Sequence, residues 1–111
     1  MVYDDYMLWL FCVKNMWQKK IEALLTYFQT PENIYKASET ILEKSNCIKA
    51  KDIAEIMESR KKFDIQKERK KLEDLNIQFI TEKSELFPKR LLNISDRPRA
   101  LFVRGQGIEF L

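Results

Sequence analysis

Few side chains in this sequence can carry covalent or acid–base chemistry. Among its 111 residues there is no histidine, and the two cysteines, Cys12 and Cys47, lie far apart. A Ser-His or Cys-His catalytic pair is therefore excluded within the chain, and no ordinary zinc-ligand spacing exists. Asp4-Asp5 and Glu73-Asp74 are adjacent carboxylates. Neighbours in a helix do not face each other, so these are poor acid–base couples. Asp4 and Asp5 read instead as exposed groups that favour a helix start through the macrodipole. With only two glycines, a Gly-rich phosphate loop is not expected. No catalytic residue, metal ligand or cofactor is expected, and the chain does not read as an enzyme.

Binding chemistry has more to rest on, because the charge is unevenly spread. Residues 1–59 carry seven basic and nine acidic groups, whereas residues 60–111 carry thirteen and eight, within a formal net charge of +3. Excess base in the second half suits a phosphate-bearing partner, although a solvated helix face gives the same count. The candidate nucleic-acid contacts are Lys89, Arg90, Arg97 and Arg99, with Arg104 beside them, and Lys19 and Lys20 in the first half. Arginine forks suit phosphates, and such contacts give affinity without sequence choice. Phe87 and Phe102 could stack on bases, but their spacing with Leu91, Leu92 and Leu101 favours core packing. The run Arg60 to Lys71 spreads its charge around a helix and reads as a solvated surface.

The elements that must position these groups are mostly helical. Composition points that way, with leucine, isoleucine, lysine and glutamate abundant and a third of the residues charged. Residues 4–13 read as a short, almost wholly apolar helix that needs cover on most sides. In the next helix, Gln18 to Phe28, the residues Ile21, Leu24, Leu25 and Phe28 follow the i, i+3, i+4, i+7 pattern of one buried face. Thr30 and Ser38 read as N-caps of two short helices, with Pro31 at the first helical position and Asn46 closing the second. A longer helix from Ala50 carries Ile53, Ile56, Met57 and Phe63 on one side. Asp64 caps a continuation bearing Ile65, Leu72 and Leu75, and Asn76 is a left-handed C-cap. At Ile77 the period changes to that of a strand, IQFIT. A loop, a short helix KRLLNI opened by Phe87-Pro88, a turn at Arg97-Pro98-Arg99 and a second strand ALFVR follow. Strand, helix, strand in that order predicts a parallel β-α-β unit with a right-handed crossover.

Two helix–turn–helix pairs, with turns VKNMWQ and NCIKAK, occupy the first 60 residues. Such pairs can grip nucleic-acid phosphates when glycines in the hairpin let backbone N–H groups approach closely. Neither turn contains glycine. Lys14, Lys19, Lys20, Lys49 and Lys51 supply charge without that backbone geometry, so helix packing is the expected role of both pairs.

Two blocks resemble the DNA-processing protein A family (DprA, also called Smf): TPENIYKAS at 30–38, and FDIQKERKKLEDLNIQFITEKSELFPKRLLNISDRPRALFVRG at 63–105. Phe79, Ile80, Thr81, Phe87, Pro88, Leu91, Pro98, Leu101, Phe102, Val103 and Gly105 fit that family's pattern. There an F-I-T strand is followed by an aromatic-Pro-x-x-Leu helix, a turn with proline and an L-F-V-x-G strand. The first 60 residues match more loosely, through Trp9, the paired leucines of the second helix and the spacing of the short helices. The resemblance implies a mainly α chain. A SAM-like, helix-hairpin-helix-like domain at 1–76 would be followed at 77–111 by the first β-α-β piece of a truncated Rossmann-like domain. It further implies binding of single-stranded DNA and help in loading a RecA-type recombinase during natural transformation, the competence pathway of DNA recombination. The family's DNA pocket lies in sequence that would follow residue 111, so the resemblance transfers no DNA-binding residue onto this chain. The chain is accordingly expected to be a fragment, and unpaired strand edges make a homodimer a further expectation.

The apolar run MLWLFCV is too short to span a membrane and is preceded by acids rather than lysines, unlike a signal peptide. A cytoplasmic protein with no membrane partner and reduced, partly buried cysteines is expected. Two other functions compete with DNA handling of the DprA kind. One is a helical protein-interaction module that touches no DNA, and the other is a stand-alone nucleic-acid binder using the basic second half.

Overall fold

Six α-helices, two β-strands and one 3-10 segment order the described residues, 1–93 and 98–104, of the computed structural model. The helices are α1 (Tyr3–Cys12), α2 (Gln18–Phe28), α3 (Pro31–Lys36), α4 (Glu39–Ser45), α5 (Ala50–Lys62) and α6 (Ile65–Asp74). The strands are β1 (Ile77–Thr81) and β2 (Ala100–Arg104), with the 3-10 segment Lys89–Asn93 between them. The protein is mainly helical with a small two-stranded antiparallel sheet. It divides into two compact units, Met1–Phe63 and Asp64–Leu111. The division falls ahead of α6, not after Asn76, because α6 packs on β1.

In the first unit, α1 and α2 both pack on α3, and α4 packs on α5. Burial follows the sequence pattern closely. Tyr6 to Leu10 are buried without a break, as an almost wholly apolar helix requires. Helix α2 buries Ile21, Leu24, Leu25 and Phe28. Met7, Trp9, Leu10, Leu24, Ile34, Leu42 and Ile56 have no exposed surface at all, and each such side chain contributes roughly 1.5–3 kcal/mol. The ring of Tyr35 meets Trp9 edge-on at 4.9 Å and Tyr6 at 5.3 Å, tying α3 to α1.

The helix ends have local causes. The Thr30 hydroxyl accepts from Asn33 N at 3.1 Å with Pro31 in the first turn, and Ser38 Oγ accepts from Ile41 N at 3.2 Å. The Asn33 side chain donates to Phe28 O at 2.8 Å, satisfying a carbonyl at the end of α2. Asp64 accepts from both Gln66 N and Lys67 N and starts α6 as a separate helix after the extended residue Phe63. Asn15, Asn46 and Asn76 hold positive φ of 59°, 56° and 54° at three corners where glycine is the commoner choice. Asp5 is buried, and its carboxylate accepts from Val2 N at 3.0 Å. It is therefore a helix-start acceptor, not the exposed group read from the sequence.

The second unit corrects the expected topology. β1 and β2 are antiparallel, pairing Ile77 with Arg104, Phe79 with Phe102 and Thr81 with Ala100. Among the described residues there is no β-α-β crossover. A crossover helix must carry the chain back along the whole first strand. The segment between these strands forms only a five-residue 3-10 turn among its described residues. The chain instead closes on itself where β1 ends. Glu82 N donates to Arg99 O at 3.0 Å, and the Arg99 guanidinium donates to Glu82 Oε1 at 3.0 Å. Phe87 folds into this closure and is buried with Ile80 and Val103, flanked by Leu91 and Leu101. Leu92 and Phe102, expected in that core, are 41% and 50% exposed. Phe102 belongs to the opposite face of the sheet, where its ring centroid lies 5.0 Å from that of Phe79. Ile94 and Gly105 fall outside the described residues.

Truncating the core should be costly and truncating the surface should not. Ile56→Ala is expected to lose about 2–5 kcal/mol in denaturant unfolding followed by circular dichroism. Thr30→Ala should lose about 1 kcal/mol through its cap. Leu75→Ala, at a position 58% exposed, should stay within about 0.5 kcal/mol of the parent.

Candidate nucleic-acid interface

The basic candidates fall on both units. Lys19 and Lys20 lie in the first turn of α2, in the first unit. Lys89 and Arg90 are exposed on the 3-10 turn of the second, and Arg104 is exposed at the end of β2. Arg99 is only 27% exposed and is engaged with Glu82. Its charge therefore helps close the sheet. Arg97 lies outside the described residues. In the run from Arg60 to Lys71 every Lys and Arg except Arg60 is exposed. Arg60 ties α5 to α3: Nη2 donates to Ile34 O at 2.7 Å and the guanidinium sits 6.0 Å from the Tyr35 ring centroid. Burial pulls that guanidinium below the usual arginine value, the Tyr35 field opposing, without neutralising it.

Lys20 is built into the protein most firmly. Its ammonium donates to Asp52 Oδ1 at 2.9 Å and to Asn15 O at 3.2 Å. Asp52, in the first turn of α5, is 2% exposed, and its second oxygen accepts from Lys49 N at 3.1 Å. That carboxylate is thus half of a capping arrangement and half of an ion pair. Burial raises its pKa. The Lys20 hydrogen bond, the Lys49 N–H and the charges of Lys20 and Lys51 outweigh that effect and hold it below the ordinary aspartate value.

The Lys20–Asp52 bond brings two chain corners together, residues 13–17 before α2 and 46–49 before α5. Between them lies a cavity of about 330 Å³ lined by Asn15, Trp17, Lys20, Lys51, Asp52 and Glu55. Trp17 is 67% exposed at its edge. The segments 13–20 and 46–52 together hold five lysines and one carboxylate, a formal balance of +4. The remainder of residues 1–63 holds five basic and eight acidic groups, a balance of −3. The two corners that meet at Asp52 therefore carry a net positive charge within an otherwise acidic unit, with Lys20 and Lys51 in the same cavity wall as an exposed aromatic ring.

Residue patterns alone do not flag Trp17 or Asp52. The sequence pattern places Trp17 in the turn VKNMWQ ahead of α2 and says nothing of its exposure. In the structure it is the extended N-cap residue of α2. Asp52 did carry a signal: an acid in the third position of a helix commonly reaches back to the N-cap N–H. Its partner Lys20, thirty-two residues earlier, is announced by nothing local. Cys12, expected partly buried, is exposed, while Cys47 is half-buried with its thiol 3.5 Å from Ala23 O. Among the described residues no helix is long and apolar enough to cross a membrane.

Comparison with family models, with curated proteins and with solved structures finds no match to this chain.

The Asp52 contacts predict an acid-labile contribution. Because its folded pKa is depressed, the carboxylate stabilises the protein fully above the unfolded aspartate value of about 3.9. That contribution fades as pH falls through the lower folded value. Asp52→Asn should cost about 1.5–3 kcal/mol at neutral pH. The gap between mutant and parent in urea unfolding should narrow steadily below about pH 4.

Proposed function

We propose that this chain is the N-terminal part of a DprA-like DNA-handling protein. In this reading the protein binds single-stranded DNA, assists loading of a RecA-type recombinase in natural transformation, and performs no catalysis. The helical unit corresponds to a SAM-like domain, and the two strands to the leading margin of a Rossmann-like sheet. The supporting observation is the block Phe79-Ile80-Thr81 to Leu101-Phe102-Val103. Its two family-like segments form strands, β1 and β2, and its aromatic-proline segment carries Phe87 into their shared core. Both outer edges of the sheet lack a further strand among the described residues, as an incomplete sheet would. The antiparallel pairing fits an entry hairpin rather than a β-α-β repeat.

A second reading has its own observation. Tyr27, Phe28, Ala37 and Ile41 line an open groove of about 470 Å³ together with Gln29, Asn33 and Lys36. Tyr27 and Ile41 are about half exposed there, at 54% and 48%. A mainly apolar groove with one lysine suits a protein partner, and a module working only through it would need no DNA.

Disrupting the gene in a transformable host separates the two readings. DNA handling of the DprA kind predicts that transformation with linear chromosomal DNA falls to background and returns when the gene is restored. Unchanged transformation would overturn the proposal in favour of the interaction module.

A further inference from the structure

We propose that the lysine-rich end of the helical unit is a single-strand nucleic-acid site, with a base stacked on Trp17 and the flanking phosphates held by Lys14, Lys19, Lys49 and Lys51. Three independent observations meet there. The first is the ring. Trp17 is the most exposed aromatic residue among the large apolar side chains of the described chain, 67% open at the edge of a cavity of about 330 Å³. A solvent-facing indole loses nothing to its own fold when a base covers it, and every base offers a π-face. The cavity lies within the range of about 300–1,000 Å³ usual for bound small groups.

The second observation is charge. Lys14, Lys19, Lys49 and Lys51 are all exposed. No ion pair engages the ammonium groups of Lys14 and Lys19 among the described residues. Lys20, by contrast, is committed to Asp52 and to Asn15 O. It therefore holds the site together instead of supplying a phosphate contact. Of the two acids in the cavity wall, Asp52 is neutralised by Lys20, which leaves Glu55 as the opposing charge in that wall.

The third observation concerns rigidity. The corners are pinned by part-buried bonds, Lys20 to Asp52 and Lys49 N to Asp52, so the backbone that carries ring and lysines is held before a ligand arrives and only the side chains remain to be ordered. A polyanion alone would be served by the lysines, whereas a planar group beside the anion also explains the exposed indole. The choice of a nucleic acid over an acidic peptide rests on the DNA-handling reading given above. The position of the site on the helical unit does not.

The test uses the full chain and fluorescein-labelled oligo-dT. Binding at low salt should quench Trp17 emission, and the quenching should vanish in Trp17→Phe. Trp17→Ala should weaken binding about tenfold or more, equal to ~1.4 kcal/mol, as loss of one stacked base requires. Lys51→Gln and Lys19→Gln should each flatten the slope of log affinity against log salt by about 0.7. Phe102→Ala, on the other unit, should change neither quantity. Failure of the parent chain to bind, or parent-like binding by both Trp17→Ala and Lys51→Gln, would overturn the site. Equal affinity for polyglutamate would replace the nucleic acid by an acidic peptide. If the site fails while gene disruption still abolishes transformation, the DNA-handling reading stands and only this location is lost. If oligo-dT binds through Trp17 and disruption has no effect on transformation, the site stands without that reading.

Discussion

The carboxylate of Asp52 is buried at the start of α5, and the local structure around it follows from keeping it satisfied. A buried carboxylate without partners is costly enough that the group neutralises or the site opens. Here one oxygen takes the Lys49 N–H that opens α5, and the other takes the Lys20 ammonium at the opening of α2. Two helices far apart in sequence are therefore held by their first turns. Such a pair adds little stability over a well-packed apolar one, but its loss leaves an uncompensated buried charge. Its structural value is registration. It fixes which residues of the two corners face each other, and so it gathers lysines that would otherwise repel into one neighbourhood.

Asparagine at the corners shapes what that neighbourhood can do. Glycine is the usual residue for a left-handed corner, and a bare backbone is what lets a phosphate reach N–H groups. This protein turns the same corners at Asn15 and Asn46, with φ near the left-handed helical value and a Cβ and amide in place of hydrogen. The corners survive, but the close approach does not. Recognition of an anion here must come from long side chains, which places lysines at the rim and explains why a glycine-based hairpin motif is a poor guide to this unit.

The sequence was legible where one local rule governs an element. Ile21, Leu24, Leu25 and Phe28 defined α2, the caps at Thr30, Ser38 and Asp64 defined three helix starts, and the change of period at Ile77 located β1. It was illegible where two distant segments decide. Strand direction depends on how the chain returns, and the pairing of Arg99 with Glu82, which closes the antiparallel ladder, is seventeen residues long-range. Phe102 shows the same difficulty: its type and spacing suit a core, but the register opposite Phe79 puts it on the sheet face away from Phe87. Around Asp52 the lysines were visible as charge, whereas the pairing of Asp52 with Lys20 depends on a contact across thirty-two residues.

The two units also differ in how firmly they are built. The first has a set of side chains with no exposed surface, from Met7 on α1 to Ile56 on α5. In the second, α6 has no buried residue, and among the described residues the sheet has two strands, covered on one face by Phe87 and Leu91. Isolated two-stranded sheets are marginal, and segments with few buried contacts open first. Cations that depend on the second unit, Lys89, Arg90 and Arg104, thus sit on the part of the protein least able to hold them in place. The lysines around Trp17 sit on the part most able to do so. Affinity per contact rises when less of the site must be ordered on binding, so a site on the helical unit starts from a firmer backbone than one on the second half. Net charge counted along the sequence does not register this difference: it weighs every cation equally and is blind to what holds each one still.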